Sequence, residues 1–181
     1  MSSADLKWQE KSRTEVFHTP VFTVTERKSQ GPDGQEGIYI VNEAPDWVIV
    51  IPELENCFLM VEQWRHGEKA LSIEFPGGVI EKGEEPEAGA RRELKEETGA
   101  EAGELIFLGK FNPNPALFNN HVFVFCAKQL QFKSNLSLDS DEFVEPLKLK
   151  KETVFEKMGS GEFFHALMGS AIALYRQKIA N

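Results

Sequence analysis

The chain has 181 residues, 41% hydrophobic and 10% aromatic, with 20 Lys and Arg against 29 Asp and Glu and a formal net charge of -9. That length and apolar content fit one domain with an appended hairpin or arm, and they exclude a disordered or collagen-like chain. The acidity argues against nucleic acid as a ligand, because phosphate backbones require a basic footprint.

Residues 14–28 are rich in β-branched and aromatic side chains, Gln30-Gly-Pro-Asp-Gly34 is a strong turn, and Gly37-Ile-Tyr-Ile-Val41 reads as a return strand. Such an N-terminal antiparallel sheet is marginal alone, so it must pack on the main domain or on another subunit. Strands are expected at 47–51 and 57–64, apolar at nearly every position and therefore buried on both faces. A shorter strand, 71–75, ends at Pro76-Gly77-Gly78. A helix over 87–98 has Pro86 in its first turn and Gly99 as its C-terminal cap. Strands at 105–111 and 121–127 follow, then a polar loop over 132–146, a short helix near 153–158 and a longer one over 162–178. Strands with helices on both sides imply an α/β sandwich, with residues 1–44 as the sheet and 45–181 as the main domain.

The charge is local. Residues 81–104 carry nine Glu against four Lys or Arg, and Asp139, Asp141, Glu142 and Glu145 add four more negative charges, which accounts for the whole net charge. The only cysteines, Cys57 and Cys126, lie in apolar runs, which suits a reducing compartment and offers no disulfide framework or zinc spacing. The first eight residues contain no apolar signal-peptide core, and no apolar run approaches the ~20 residues of a membrane helix. A cytoplasmic protein with no membrane partner is the expectation.

Within the helix 87–98, Glu93, Glu96 and Glu97 stand at i, i+3 and i+4 and share one face. Like charges at that spacing cost about 0.2–0.5 kcal/mol per pair, and the C-terminal end of the helix dipole adds to the cost. A divalent cation such as Mg²⁺ or Mn²⁺ would relieve this frustration and bridge to substrate phosphates. By spacing alone, a solvated acidic face accounts for the pattern equally well.

The flanking residues extend the pattern. Gly78, Glu84, Arg92, Glu93, Glu96, Glu97 and Gly99, with Leu94, stand at the spacing GX5EX7REUXEEXGU. With residue frequencies of about 5–7%, seven fixed matches have a chance of order 10⁻⁹ per start position. The segment resembles the Nudix box, departing only at Ala100, where the family usually has a bulky aliphatic. The resemblance implies an α/β/α sandwich with a mixed central sheet, and hydrolysis of a nucleoside diphosphate linked to another group. It implies metal ligation by Glu93 and Glu97, by Glu96 directly or through a metal-bound water, and by the Gly77 carbonyl. Arg92 would orient the glutamates, while Glu84 and Gly78 shape the loop and Gly99 ends the helix.

Val61-Glu-Gln-Trp-Arg65 and Ile73-Glu-Phe-Pro-Gly-Gly78 are similar to the "RQYR … ELPAG" pattern of ADP-ribose and nucleoside-diphosphate-sugar pyrophosphatases. Thr19-Pro-Val-Phe22, the turn before Tyr39, and Pro115 sixteen residues after Gly99 extend that likeness. By it Arg65 would bind a substrate phosphate, and Glu74 and Gly78 would contact substrate or hold the loop. A catalytic base would come from the late acidic loop, Glu142 first and Glu145 next, alongside Glu93 and Glu96. Asn120, with Asn119 and His121, stands where the ADP-ribose enzymes usually carry an acid followed by Arg. Asn120 as a neutral substrate contact therefore points to a broader nucleotide-sugar range.

The resemblance also implies a homodimer through the N-terminal sheet, with Phe17 and Phe22 as candidates to stack on a base. The alternatives are a nucleoside triphosphate house-cleaning enzyme, which usually lacks that sheet, and a non-catalytic ADP-ribose sensor, which usually loses box glutamates. His165 reads as a structural histidine.

Overall fold

A computed structural model describes residues 6–132 and 143–179. The chain divides into two compact units: Met1–Pro45 with Asn112–His121, and Asp46–Phe111 with Val122–Asn181.

In the first unit, β1 (Gln9–His18), β2 (Thr23–Gln30) and β3 (Glu36–Glu43) form an antiparallel sheet in that order. The strand-forming run over 14–28 is divided between β1 and β2 at Thr19-Pro20. The Thr19 Oγ1 accepts from the Phe22 N–H at 2.9 Å and donates to the Phe22 carbonyl at 2.7 Å, which closes a tight turn. Residues 112–121 add to this unit, with the Asn42 N–H donating to the Leu117 carbonyl at 2.7 Å. Val16, Phe17, Ile38, Tyr39 and Ile40 are exposed on the sheet.

The second unit is built on a mixed sheet. Its strands are β4 (Trp47–Leu54), β5 (Cys57–Arg65), β6 (Ala70–Glu74), β7 (Ala100–Phe111), β8 (Val122–Phe132) and β9 (Val144–Lys150), in the order β6-β5-β4-β8-β7 with β9 on β5. β4 and β8 run parallel, from Trp47 opposite Val122 to Pro52 opposite Ala127. The period-2 alternation divides the core. Ile49, Ile51, Phe58, Met60, Val122 and Val124 pack with α2 (Lys151–Lys157) and α3 (Ala166–Lys178). Val48, Val50, Leu59, Phe125 and Ala127 pack on the opposite face with α1 (Pro86–Thr98). This is the helix–sheet–helix layering implied by strands apolar at every position.

Three boundaries differ from expectation. Val144–Lys150 is a strand, where a loop was expected to reach residue 146. Pro146 and the neighbouring acids disguise it, and a proline is tolerated there because β9 pairs on one side only, with β5. β7 starts at Ala100, directly after the helix cap, as an edge strand whose first five residues are small or acidic. α3 starts at Ala166 rather than 162, because Gly159 and Gly161, at φ +85° and +53°, turn the chain first. Glu53 then pins this C-terminal region to β4: its carboxylate accepts from the Tyr175 hydroxyl at 2.8 Å and pairs with Lys151.

Candidate active site

The site starts from an edge that β4 shares between two partners. Glu53 and Leu54 pair with β5. Towards the N-terminal end, the Val48 N–H donates to the Gly78 carbonyl at 2.9 Å and the Val50 N–H to the Pro76 carbonyl at 2.8 Å. The Ile80 N–H donates back to the Asp46 carbonyl at 2.8 Å. Residues 76–80 thus complete the strand edge. Pro52, the next residue whose amide would face that side, falls where the partner changes and has no N–H to lose. The approach is close enough that a Cβ at Gly77 would collide with the Val48 carbonyl oxygen.

Helix α1 is carried to this loop by its apolar stripe. Ala90 and Leu94 are fully buried against the sheet, and Gly99, at φ 68°, closes the helix with its N–H on the Lys95 carbonyl at 2.8 Å. Burying that stripe draws in its neighbours, so Glu93 and Glu97 are only 8% and 4% exposed. A Cβ at Gly78 would stand 2.5 Å from Glu93 Oε1, and the Gly77 N–H donates to Glu97 Oε2 at 2.9 Å. The glycine pair therefore cradles two carboxylates.

Arg92 supplies counter-charge from the same helix. Its Nε and Nη2 each reach Glu84 at 3.0 Å, Nη1 reaches Glu93 at 2.8 Å and Glu96 at 3.0 Å, and Nη2 also donates to the Val79 carbonyl at 2.9 Å. Glu84 first, then Glu93 and Glu96, raise the Arg92 pKa further above its ordinary value. Glu84 is held below the usual carboxylate range chiefly by Arg92, and its Oε2 also accepts from the Glu81 N–H at 2.9 Å.

A second ion pair lies alongside. The Arg65 Nε and Nη2 donate to the Glu74 carboxylate at 2.7 and 2.6 Å, a two-pronged contact onto a side chain 1% exposed. Burial alone would raise the Glu74 pKa, but the bonds and charge of Arg65 outweigh it and hold the carboxylate below its usual range. The Glu97 charge also acts on Arg65. Trp47, Ile49, Arg65, Glu74, Gly77 and His165 line one small cavity.

Arg65, Glu74, Gly77, Gly78, Glu84, Arg92, Glu93, Glu96, Glu97 and Gly99 thus gather in the second unit. Asn120 belongs to the first, where its Nδ2 donates to the Pro45 carbonyl at 2.9 Å and its buried Oδ1 has no partner among the described residues. Glu142 lies outside the described residues. Glu145, the other base candidate, is exposed on β9 opposite Glu62. His165, read as structural, lines the cavity; its place as a lone polar side chain between Phe164 and Ala166 was the signal available.

The NUDIX domain family matches residues 44–160. The chain is 32% identical to the ADP-ribose pyrophosphatase of Bacillus subtilis (strain 168) over 171 residues, 93% of this chain and 92% of that one. It is 38% identical to the methanol dehydrogenase activator of Bacillus methanolicus over 120 residues, 65% of each chain. A crystal structure of an ADP compounds hydrolase superposes with a TM-score of 0.87 at 24% identity, covering 99% of this chain and 97% of that one.

Nudix hydrolases generally use divalent metals. Among the described residues no three His, Cys, Asp or Glu side chains stand close enough to form a ready cage. The reason is visible: Arg92 draws Glu93 and Glu96, while the Gly77 amide holds Glu97. In chemistry the set fits a hard cation, because the Gly77–Gly78 cradle packs two buried carboxylates against main-chain polar groups.

Gly78→Ala pushes the Glu93 carboxylate aside and should lower kcat about a hundredfold with little change in Tm. Gly77→Ala meets main chain and should cost about 1–3 kcal/mol of stability. Thermal unfolding beside steady-state kinetics separates the two, and a Gly78→Ala enzyme of full activity would contradict the cradle. Glu74→Gln should cost about 3 kcal/mol at pH 7, the low end for a buried pair because a third of the Arg65 side chain is exposed. The folded pKa of Glu74 is depressed. The wild-type advantage is therefore complete above the unfolded value of about 4.3 and disappears as pH falls through the lowered one. Denaturation curves from pH 7 to 3 should converge on the acid side; a constant gap would show that the pair does not titrate with folding.

Proposed function

The chain belongs to the NUDIX family, and from that premise we propose that it hydrolyses the pyrophosphate bond of ADP-ribose and related nucleoside-diphosphate sugars. The products are a nucleoside monophosphate and a sugar phosphate. The observation that carries this reading is that Arg65 lines one cavity with Gly77, whose amide holds Glu97, so that a cation stands beside a box carboxylate. The similarity to the Bacillus subtilis ADP-ribose pyrophosphatase over nearly the whole chain supports the substrate class.

Glu93, Glu96, Glu97 and the Gly77 carbonyl hold the cation, Mg²⁺ first and Mn²⁺ as the alternative. When bound, the metal polarises the pyrophosphate and makes water a stronger nucleophile. Arg65 spends Nε and Nη2 on Glu74, which leaves Nη1 for a substrate phosphate oxygen. Arg92 keeps Glu93 and Glu96 in register through a neutralising bridge. Glu142, or Glu145 in its place, takes the proton of the attacking water as the new P–O bond forms and the bridging P–O bond breaks.

Residues 45–181 carry the chemistry and residues 1–44 serve as a dimerisation arm. The exposed Phe17, Ile38, Tyr39 and Ile40 on a three-stranded sheet support a homodimer formed there. Two free thiols, Cys57 and Cys126, support a cytoplasmic setting. No helix among the described residues is long and apolar enough to cross a membrane.

Glu97→Gln should abolish turnover while leaving the fold intact, and unchanged activity would sink the metal assignment. Products from ADP-ribose, ADP-glucose, GDP-mannose and UDP-glucose with Mg²⁺, resolved by chromatography, should be a nucleoside monophosphate and a sugar phosphate. Release of inorganic pyrophosphate from a triphosphate, with all four inert, would favour the house-cleaning alternative. Sedimentation at micromolar concentration should give a dimer, and a monomer there would refute the arm's role.

A further inference from the structure

The phosphate-binding arginine is held by a carboxylate, and that carboxylate is held from one side by the segment leading into α3. Three successive residues at the end of β6 are tied to that segment. The Ile73 N–H donates to the Glu162 carbonyl at 2.8 Å, His165 Nε2 stands 3.8 Å from Glu74 Oε2, and the Phe75 N–H reaches Met168 Sδ at 3.1 Å. Glu74 Oε2 is the oxygen that takes Arg65 Nη2.

His165 has a second contact that fixes its chemistry. As the N-cap of α3, its Nδ1 accepts the Leu167 N–H at 3.2 Å. An imidazole nitrogen that accepts carries no proton, so in the neutral ring the proton sits on Nε2, turned to the buried carboxylate. One ring thereby caps the last helix and holds its Nε2 3.8 Å from the carboxylate that binds Arg65, too far for a hydrogen bond but close enough for the N–H dipole to act on that charge. The side chain is 19% exposed, so little water competes for that role.

We infer that His165 is a positioning residue for substrate binding, acting through Glu74 to set the direction of the Arg65 guanidinium. The inference rests on the reading of Arg65 as the phosphate contact and extends it to a residue at the far end of the chain.

The two ring nitrogens can be removed separately. His165→Asn keeps a short side-chain acceptor for the cap and loses the distal N–H; His165→Gln keeps a distal N–H and caps poorly. With ADP-ribose and Mg²⁺, His165→Asn should hold its Tm and kcat while KM rises roughly three- to tenfold. His165→Gln should lower Tm and leave KM near that of the wild type. In an Arg65→Lys background, which keeps the charge but loses the fork, His165→Asn should change KM by less than about twofold. KM that follows Tm across both His165 variants would reduce His165 to a cap and overturn the inference. So would a full-sized His165→Asn effect in the Arg65→Lys background. If Arg65→Lys alone leaves KM unaltered, the phosphate role of Arg65 falls and this inference with it. If Arg65→Lys raises KM and His165→Asn does not, the inference alone falls.

Discussion

The box carboxylates take their place from the backbone hydrogen bonds with which residues 76–80 occupy the edge that β4 leaves unpaired beyond β5. Strand edges are costly to leave open in an interior, so β4 demands a partner along residues 46–50. The segment that supplies it must come within van der Waals limits of the Val48 carbonyl, which admits only glycine at position 77. Once that residue is seated, its amide meets Glu97 and its neighbour meets Glu93. Helix α1 is then fixed both by its apolar stripe below and by its acids above.

The acidity of the chain takes a local meaning in this setting. Carboxylates crowded into one helix and its loop are tolerable where they meet fixed partners. Glu84, Glu93 and Glu96 share Arg92, Glu97 takes a main-chain amide, and Glu74 pairs with Arg65. Arginine suits both posts because its planar fork satisfies two acceptors at once without losing its charge. The two arginines differ in their bonding: Arg92 donates through all three nitrogens, whereas among the described residues Arg65 donates through Nε and Nη2.

Much of this was legible in the residues. The unbroken apolar runs of β4 and β5 state burial on both faces, and Pro86 and Gly99 mark the ends of α1 to within a residue. The box spacing places Glu93, Glu96 and Glu97 on one helix, although not the way Arg92 divides them from each other. What stayed hidden depends on partners distant in sequence. β9 looks like a loop until β5 is there to pair with it. The Thr19 turn is a matter of one hydroxyl inside a run of good strand formers. Asn120 invites comparison with charged residues at its position, yet its Nδ2 is engaged with the Pro45 carbonyl. Glu74 could have been a surface acid, and only the register that sets Arg65 opposite Ala70 brings the two into one cleft.

A floor made of main chain has a further consequence for how such an enzyme can be altered. The seats of Glu93 and Glu97 are set by peptide geometry at residues 77 and 78, which most side-chain exchanges elsewhere leave untouched. The walls, by contrast, are ordinary side chains such as Trp47 and Leu167. The walls are thus side chain, whereas the seats of Glu93 and Glu97 are backbone. Drift in the walls can change which molecule is held while the machinery that cuts it stays still, which makes this architecture a tolerant starting point for directed evolution of new substrates.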